Sequence, residues 1–151
     1  GPRPVAQSVD RLVELESRLA LNQAVTLKAY GDQINAVKDE LNACLRALKA
    51  DRKSIAGFGA PAKATTLMYH FGIGPDIIDF IVDDSPLKQG LYSPGMHIPV
   101  LPSAAIYSRK PDALVVLAWN FADSIMRNHQ FFVDQGGTFI VPLPKVEIFH
   151  S

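Results

Sequence analysis

The sequence predicts an α/β fold, a mostly parallel sheet with helices on both faces, preceded by one or two helices. Three observations predict it. Short apolar runs of strand length recur at Ser54-Ile55-Ala56-Gly57-Phe58, at residues 77–82, at 113–118 and at 138–141. Stretches with helical periodicity separate them, and strands that alternate with helices pair in parallel through right-handed crossovers. The first run ends in a glycine turn followed by Pro61, the punctuation of a strand that passes directly into a helix.

Taken in order, residues 9–48 read as helix. Ile34, Val37, Leu41, Leu45 and Leu48 step by threes and fours into one apolar stripe, while Val9, Leu12, Leu15 and Leu19 mark an earlier segment. Gly31-Asp32 supplies a break, with Asp32 able to cap the second helix. Gly1-Pro2 resembles the scar of a cleaved tag and suggests a piece of something larger. Residues 1–50 are thus expected to be a helical connection and 51–151 an α/β domain. Within the latter, Ser54 to Phe58 is a strand buried on both faces. Residues 62–71 continue as helix until Gly72-x-Gly74-Pro75 stops it, and 77–82 form a second strand ending in Asp83-Asp84. An irregular stretch, 85–95, carries Lys88, Gln89, Gly90, Tyr92 and Ser93, and long irregular segments are often functional. His97-Ile98-Pro99-Val100 reads as a short strand, 103–108 as a helical turn or two, and 113–118 as the most apolar strand. Residues 122–133 read as one helix, 138–141 as the last inner strand, and 146–149 as an edge strand.

Composition narrows the function classes. With 48% hydrophobic and 20% charged residues, 151 residues suffice for one domain with a real core. Basic and acidic residues number 15 each, so no net field favours nucleic acid or a membrane surface. The only cysteine, Cys44, excludes a disulfide framework, a metal-binding thiol pair and a redox motif, and fits a reducing cytoplasm. No apolar run approaches the roughly 20 residues of a spanning helix, and the start lacks the basic and apolar regions of a signal peptide.

Gly57-x-Gly59-x-x-Ala62 fits the dinucleotide-type, Rossmann-like fingerprint in its strand-turn-helix context. One glycine allows the turn, the next lets a phosphate approach the backbone, and the helix start offers free N–H groups and a positive dipole end. Lys63 in the first turn would add a point charge. The alternative is that the glycines only shape the turn and Lys63 is solvated. Asp83 stands where an acidic residue accepts ribose hydroxyls, or where it caps the following turn. Asp84 is the weaker candidate of the two. Adjacent carboxylates at a strand end point apart, so they make no catalytic dyad. Trp119 lies at the carboxyl end of a strand and could stack on a base or pack in the core, whereas Asn120 is expected to cap the next helix. His97 has no ligand-spaced neighbour, so no metal site is expected, and His70, His129 and His150 read as surface residues. No residue has the setting of an activated nucleophile.

Several linked blocks carry a resemblance. Gly57-Phe58-Gly59-Ala60-Pro61-Ala62-Lys63, Gly72-Ile73-Gly74-Pro75-Asp76, Asp83 with Pro86-x-Lys88-Gln89-Gly90, Pro94-Gly95-x-His97-Ile98-Pro99-Val100, Pro111-Asp112 and Trp119-Asn120 resemble the carboxy-terminal domain of the S-adenosylmethionine-dependent sugar C-methyltransferases. The likeness spans residues 47–149, and the preceding helical segment resembles the family's connection from its central domain. It implies a parent enzyme with a zinc-binding domain, a central domain that holds S-adenosylmethionine and the base, and a Rossmann-like domain that helps enclose a nucleotide-linked keto-sugar. The family reaction removes a proton beside a ketone, and the enolate attacks the donor methyl group. On this resemblance the chain is not catalytic alone and binds no cofactor itself. Its ligand is a nucleotide-diphosphate sugar, thymidine-linked by expectation, and its partner is the central domain of the same polypeptide. The helices before Lys53 are also a candidate homodimer surface. The residues expected at the ligand are Gly57, Phe58, Gly59, Ala60, Pro61, Lys63, Asp83, Lys88, His97 and Trp119. Phe58 and Ala64 depart from the tyrosine and glycine that the family often carries. Two other readings remain open, an independent NAD(P)- or nucleotide-binding domain and a structural or dimerisation module.

Overall fold

A computed structural model describes residues 6–150, so Gly1-Pro2 lies outside the described residues. The chain divides into two compact units, Gly1–Ala36 and Val37–Ser151. In the first, helix α1, Gln7–Arg18, buries none of its residues, and Val9, Leu12, Val13, Leu15 and Leu19 are exposed. Helix α2 runs Ala24–Ala50. Two helices are therefore present, but the break falls at residues 19–23 instead of Gly31-Asp32. Ala20 takes a left-handed φ of 51° there, whereas Gly31 stays helical. One glycine costs a helix only about 1 kcal/mol, which the flanking turns outweigh.

In the second unit the order is β1 Ile55–Phe58, α3 Ala62–Phe71, β2 Phe80–Val82, β3 Val100–Leu101, α4 Ala105–Arg109, β4 Ala113–Val116, a 3₁₀ turn Trp119–Phe121, α5 Ala122–Asn128, α6 Gln130–Asp134, β5 Thr138–Val141 and β6 Glu147–Phe149. The six strands lie in the order β3-β2-β1-β4-β5-β6. All neighbours pair in parallel except β5 and β6, which are antiparallel. One face carries Ala56, Phe58, Phe80, Val82, Leu114, Val116, Phe139 and Val141 against α4, α5 and α6. Because strand side chains alternate, Ile55, Gly57, Ile81 and Val115 point to the other face, where α3 buries Ala64, Leu67, Met68 and Phe71. Leu41 and Leu45 of α2 are wholly buried, and the Asn42 amide donates to the Phe71 carbonyl at 2.8 Å, satisfying the end of α3. Burial of this kind stabilises by about 1.5–3 kcal/mol per large apolar side chain.

Three expectations need correction. The strand expected over 77–82 begins only at Phe80, because the Ile77 and Ile78 amides bond to the Gly74 carbonyl in a turn. Both side chains are nonetheless buried, and that is the apolar signal a strand would give. The short strand expected from His97 starts at Val100, because His97 closes a left-handed turn at φ 54° and the Ile98 amide bonds to Ser93 Oγ. The helix expected over 122–133 is two helices, broken at His129 with φ −118° and ψ 28°.

At the amino edge of the sheet, two carboxylates end the strands. Asp112 accepts the Ser54 amide at 2.8 Å, the Ser54 hydroxyl at 2.9 Å and the Lys53 ammonium at 3.0 Å. Asp79 accepts the Ile55 amide at 3.0 Å and Lys49 at 2.9 Å. These bonds give the Pro111-Asp112 block a structural reason.

Candidate functional site

The chain reverses its direction of travel across the sheet between β1 and β4. From β1 it moves outward through β2 to β3, and from β4 outward through β5 to β6. In open α/β sheets, ligands bind outside the carboxyl ends of the strands at such a switch point. A cleft of about 330 Å³ lies there, lined by Phe58, Gly59, Pro61, Asp83, Asp84, Lys88, Ala118, Phe121 and the α5 residues Ser124, Ile125 and Asn128. Two larger hollows, about 480 and 380 Å³, lie elsewhere. One runs beside α5, α6 and the end of β6, and the other near Asp112 and Gly136. Neither stands at the switch point, so size does not decide the site.

The glycine turn is built by close packing. A Cβ on Gly57 would lie 2.7 Å from Leu117 Cδ1, so this glycine makes room between strands. Gly59 has φ +88°, and a Cβ there would come within 2.6 Å of the Ala118 Cβ. The Gly59 amide donates to the Val82 carbonyl at 2.7 Å, and the Ala118 amide to the Phe58 carbonyl at 3.1 Å. Pro61 caps α3 in an extended conformation, and the Ala64 amide returns to its carbonyl at 2.9 Å. The Ala62 and Lys63 amides have no backbone acceptor among the described residues, as the start of a helix requires.

Asp83 is nearly buried, and its carboxylate holds the turn together. It accepts the Ala60 amide at 2.7 Å, the Ser85 amide at 2.9 Å and the Lys88 ammonium at 2.9 Å. Burial works against its charge, but the Ala60 amide, Lys88 and the Ser85 amide outweigh it and hold the carboxyl below the usual carboxylate range. Gln89 closes the loop by donating to the Asp83 carbonyl at 3.0 Å. Asp84, beside it, is exposed and lines the cleft. Lys63 lies over the Trp119 ring, 4.0 Å from its centroid, so the first turn of α3 and the 3₁₀ turn after β4 meet across the switch point. Asn120 does not cap α5. Phe121 holds the cap position without a side-chain bond.

Gly57, Phe58, Gly59, Ala60, Pro61, Lys63, Asp83, Lys88 and Trp119 therefore converge on one end of the sheet. His97 does not. It precedes β3, whose Val100 pairs with Ile81, so it lies towards the amino edge, stacked on Tyr92 at 5.5 Å. His129, expected at the surface, is half-buried instead. Its Nδ1 is 2.9 Å from the Tyr107 hydroxyl and its ring is 5.0 Å from Phe58. Burial pushes its pKa below the ordinary imidazole value, against a pull upward from Asp84. No sequence signal marks it, because the helix break that turns it inward contains neither glycine nor proline. Among the described residues no three His, Cys, Asp or Glu side chains could hold a metal ion, and no helix is long and apolar enough to cross a membrane. Burial and the Glu40 carboxylate both raise the pKa of the Cys44 thiol, so it stays protonated and unreactive.

Residues 1–144 match the family described as the C-methyltransferase C-terminal domain. The chain belongs to that family. It is 34% identical over 124 residues to the C-methyltransferase NovU of Streptomyces niveus, an alignment that covers 82% of this chain and 30% of that protein. The C-methyltransferase C-terminal domain thus spans under a third of the length of the curated relative it matches. Its glycine turn differs from a dinucleotide site in one respect that matters for chemistry. The Ala60 amide, which a ligand phosphate would otherwise take, is already bonded to Asp83.

Proposed function

We propose that this domain receives the nucleotide-diphosphate sugar on which a C-methyltransferase acts, with the nucleotide thymidine-linked, and positions it for chemistry performed elsewhere in the polypeptide. The observation that carries the proposal is the cleft at the β1/β4 switch point, walled by Phe58 and Asp83 and flanked by Lys63 over Trp119. The unpaired Ala62 and Lys63 amides and the Lys63 ammonium offer a diphosphate one favourable side. Trp119 presents an aromatic surface to a base, and Lys88, tied to Asp83, borders the same opening. Holding the reacting carbon in line with a methyl donor lowers the barrier by several kcal/mol without any proton transfer by this domain.

The residues of this chain do not fit S-adenosylmethionine or NAD. The carboxylate that would take the ribose hydroxyls of either cofactor, Asp83, is engaged with two amides and a lysine. No methyl-transfer or hydride-transfer step is assigned to this chain, and its proposed role is non-catalytic. A cytoplasmic setting accords with its single, unreactive cysteine. A second role rests on α1, whose apolar face is exposed along its length. That face is assigned to contact with the rest of the polypeptide, and a concentration-dependent dimer in sedimentation would assign it to a second copy instead.

Calorimetric titration of the chain with a thymidine-diphosphate sugar, S-adenosylmethionine and NAD in parallel tests the proposal. Heat from the sugar nucleotide alone, weakened by Lys63→Ala, is the expected result. Binding of NAD in its place, or no binding of the sugar nucleotide, would reject it.

A further inference from the structure

Tyr107 and His129 form a polar pair that the ligand assignments above leave unused. Tyr107 projects from α4, and His129 sits at the break between α5 and α6, so two elements on one face of the sheet are joined by the 2.9 Å contact between the Tyr107 hydroxyl and His129 Nδ1. Neither residue lines the cleft itself, but their neighbours do. Phe58, which lines the cleft, packs against the imidazole at 5.0 Å, and Asn128, the preceding residue, lines the cleft too. The Asp84 carboxylate, another lining group, is near enough to act on the imidazole charge. His129 Nε2 has no hydrogen-bond partner among the described residues, although Nδ1 is fixed.

Burial keeps both groups uncharged. It lowers the pKa of His129 and raises that of Tyr107, so near neutral pH the pair is a neutral imidazole and a phenol. A neutral imidazole whose Nδ1 is held by a hydroxyl is left with one directed polar atom, Nε2. The Asp84 carboxylate on the cleft wall repels phosphate but accepts from a hydroxyl. The surroundings of the cleft therefore combine a cation, Lys63 over Trp119, with a neutral-to-acidic group, His129 against Phe58 and the lining carboxylate Asp84.

We infer that His129, positioned by Tyr107 and assisted by Asp84, reads a hydroxyl group of the hexose on the nucleotide-sugar through Nε2. This inference rests on the proposed nucleotide-sugar role. Tyr107 acts only through His129 and is a positioning residue.

The test compares thymidine-diphosphate glucose with thymidine diphosphate, titrated calorimetrically into the chain and its H129A, H129Q and Y107F variants. One hydrogen bond to a neutral hydroxyl corresponds to about three- to tenfold in affinity. H129A is expected to weaken the glucose conjugate by that factor and to leave thymidine diphosphate unchanged, with H129Q recovering part of the loss. Y107F is expected to shift the imidazole ¹⁵N resonances of His129 in the free protein, a change in tautomer balance that mere loss of packing would not produce. Circular dichroism and melting establish that each variant is folded. Equal losses for both ligands would place His129 at the phosphates and overturn the hydroxyl assignment. Unchanged affinity in H129A with intact glucose-conjugate binding would overturn the inference alone. Failure of the unaltered chain to bind thymidine-diphosphate glucose would overturn the nucleotide-sugar role and this inference with it.

Discussion

At the amino edge of the sheet Asp112 receives the amide and hydroxyl of Ser54 and the ammonium of Lys53. At the carboxyl edge Asp83 receives the amides of Ala60 and Ser85 and the ammonium of Lys88. The device is the same, a carboxylate that collects strand-end amides and one lysine, but the surroundings differ. The Asp112 side chain is 38% exposed and that of Asp83 is 9% exposed. Around Asp112 the polar groups are spent on each other. Around Asp83 the turn is locked, yet the Asp84 carboxylate lines an open cleft, and His129 packs on Phe58 of the same wall. A carboxylate at a strand end is thus an ordinary closure on one side and the floor of a cleft on the other.

The largest expected effect separates the two edges by sterics. Gly59 and Gly136 both have positive φ, but an added Cβ meets Ala118 at 2.6 Å in the first case and nothing within 4 Å in the second. Gly59→Ala should cost about 3 kcal/mol, backbone strain plus overpacking, and Gly136→Ala about 1 kcal/mol of strain alone. Urea unfolding of both variants checks the difference, and equal losses would show that the glycine turn has room to spare.

Next come the carboxylates. Asp83→Asn should cost about 2 kcal/mol, because nearly buried bonds to a charged acceptor are lost. Asp112→Asn should cost under about 1 kcal/mol, because solvent screens that pair. Both carboxyls are held below their ordinary value. Asp112 is lowered first by the Ser54 amide, opposed by burial and aided by Lys53. A depressed carboxyl contributes stability that is fully present above its unfolded pKa of about 4 and is lost as the pH falls through the folded value. Acid titration of stability below about pH 4 should therefore flatten in Asp83→Asn.

His129 has the opposite dependence. Its folded pKa is lowered, so the unfolded chain binds more protons just below the ordinary imidazole value of about 6.5. Stability then declines as the pH falls from about 6.5 towards the folded pKa, and His129→Gln should remove that slope in chemical denaturation series at several pH values. The smallest effect is expected from Lys63→Ala, whose contact with half-exposed Trp119 is worth about 0.5–1 kcal/mol to folding. Its larger consequence belongs to ligand affinity.

Much of this architecture was legible in the sequence. Helix α3 and strand β5 fall where periodicity places them, and β1 and β4 begin within a residue or at the residue expected, because pattern, glycine turn and proline agree. Ile77 and Ile78 misled because burial and strand are separate properties, and an apolar run buried in a turn looks the same in one dimension. The α5–α6 break left no trace because its residues are all compatible with helix. Hence the placement of the glycine-turn residues at one end of the sheet could be read residue by residue, while the inward turn of His129 could not. Asp83 was visible as an important acid, but its commitment to the Ala60 amide depends on a contact across 23 positions of sequence.

The most direct test follows backbone amide resonances of the isotopically labelled chain during titration with a thymidine-diphosphate sugar. Saturable shifts are expected at Gly59, Ala62, Lys63, Asp84 and His129, with Ser54, Asp79 and Asp112 at the amino edge unmoved. Shifts centred on the amino edge, or none at any residue, would contradict the proposed role.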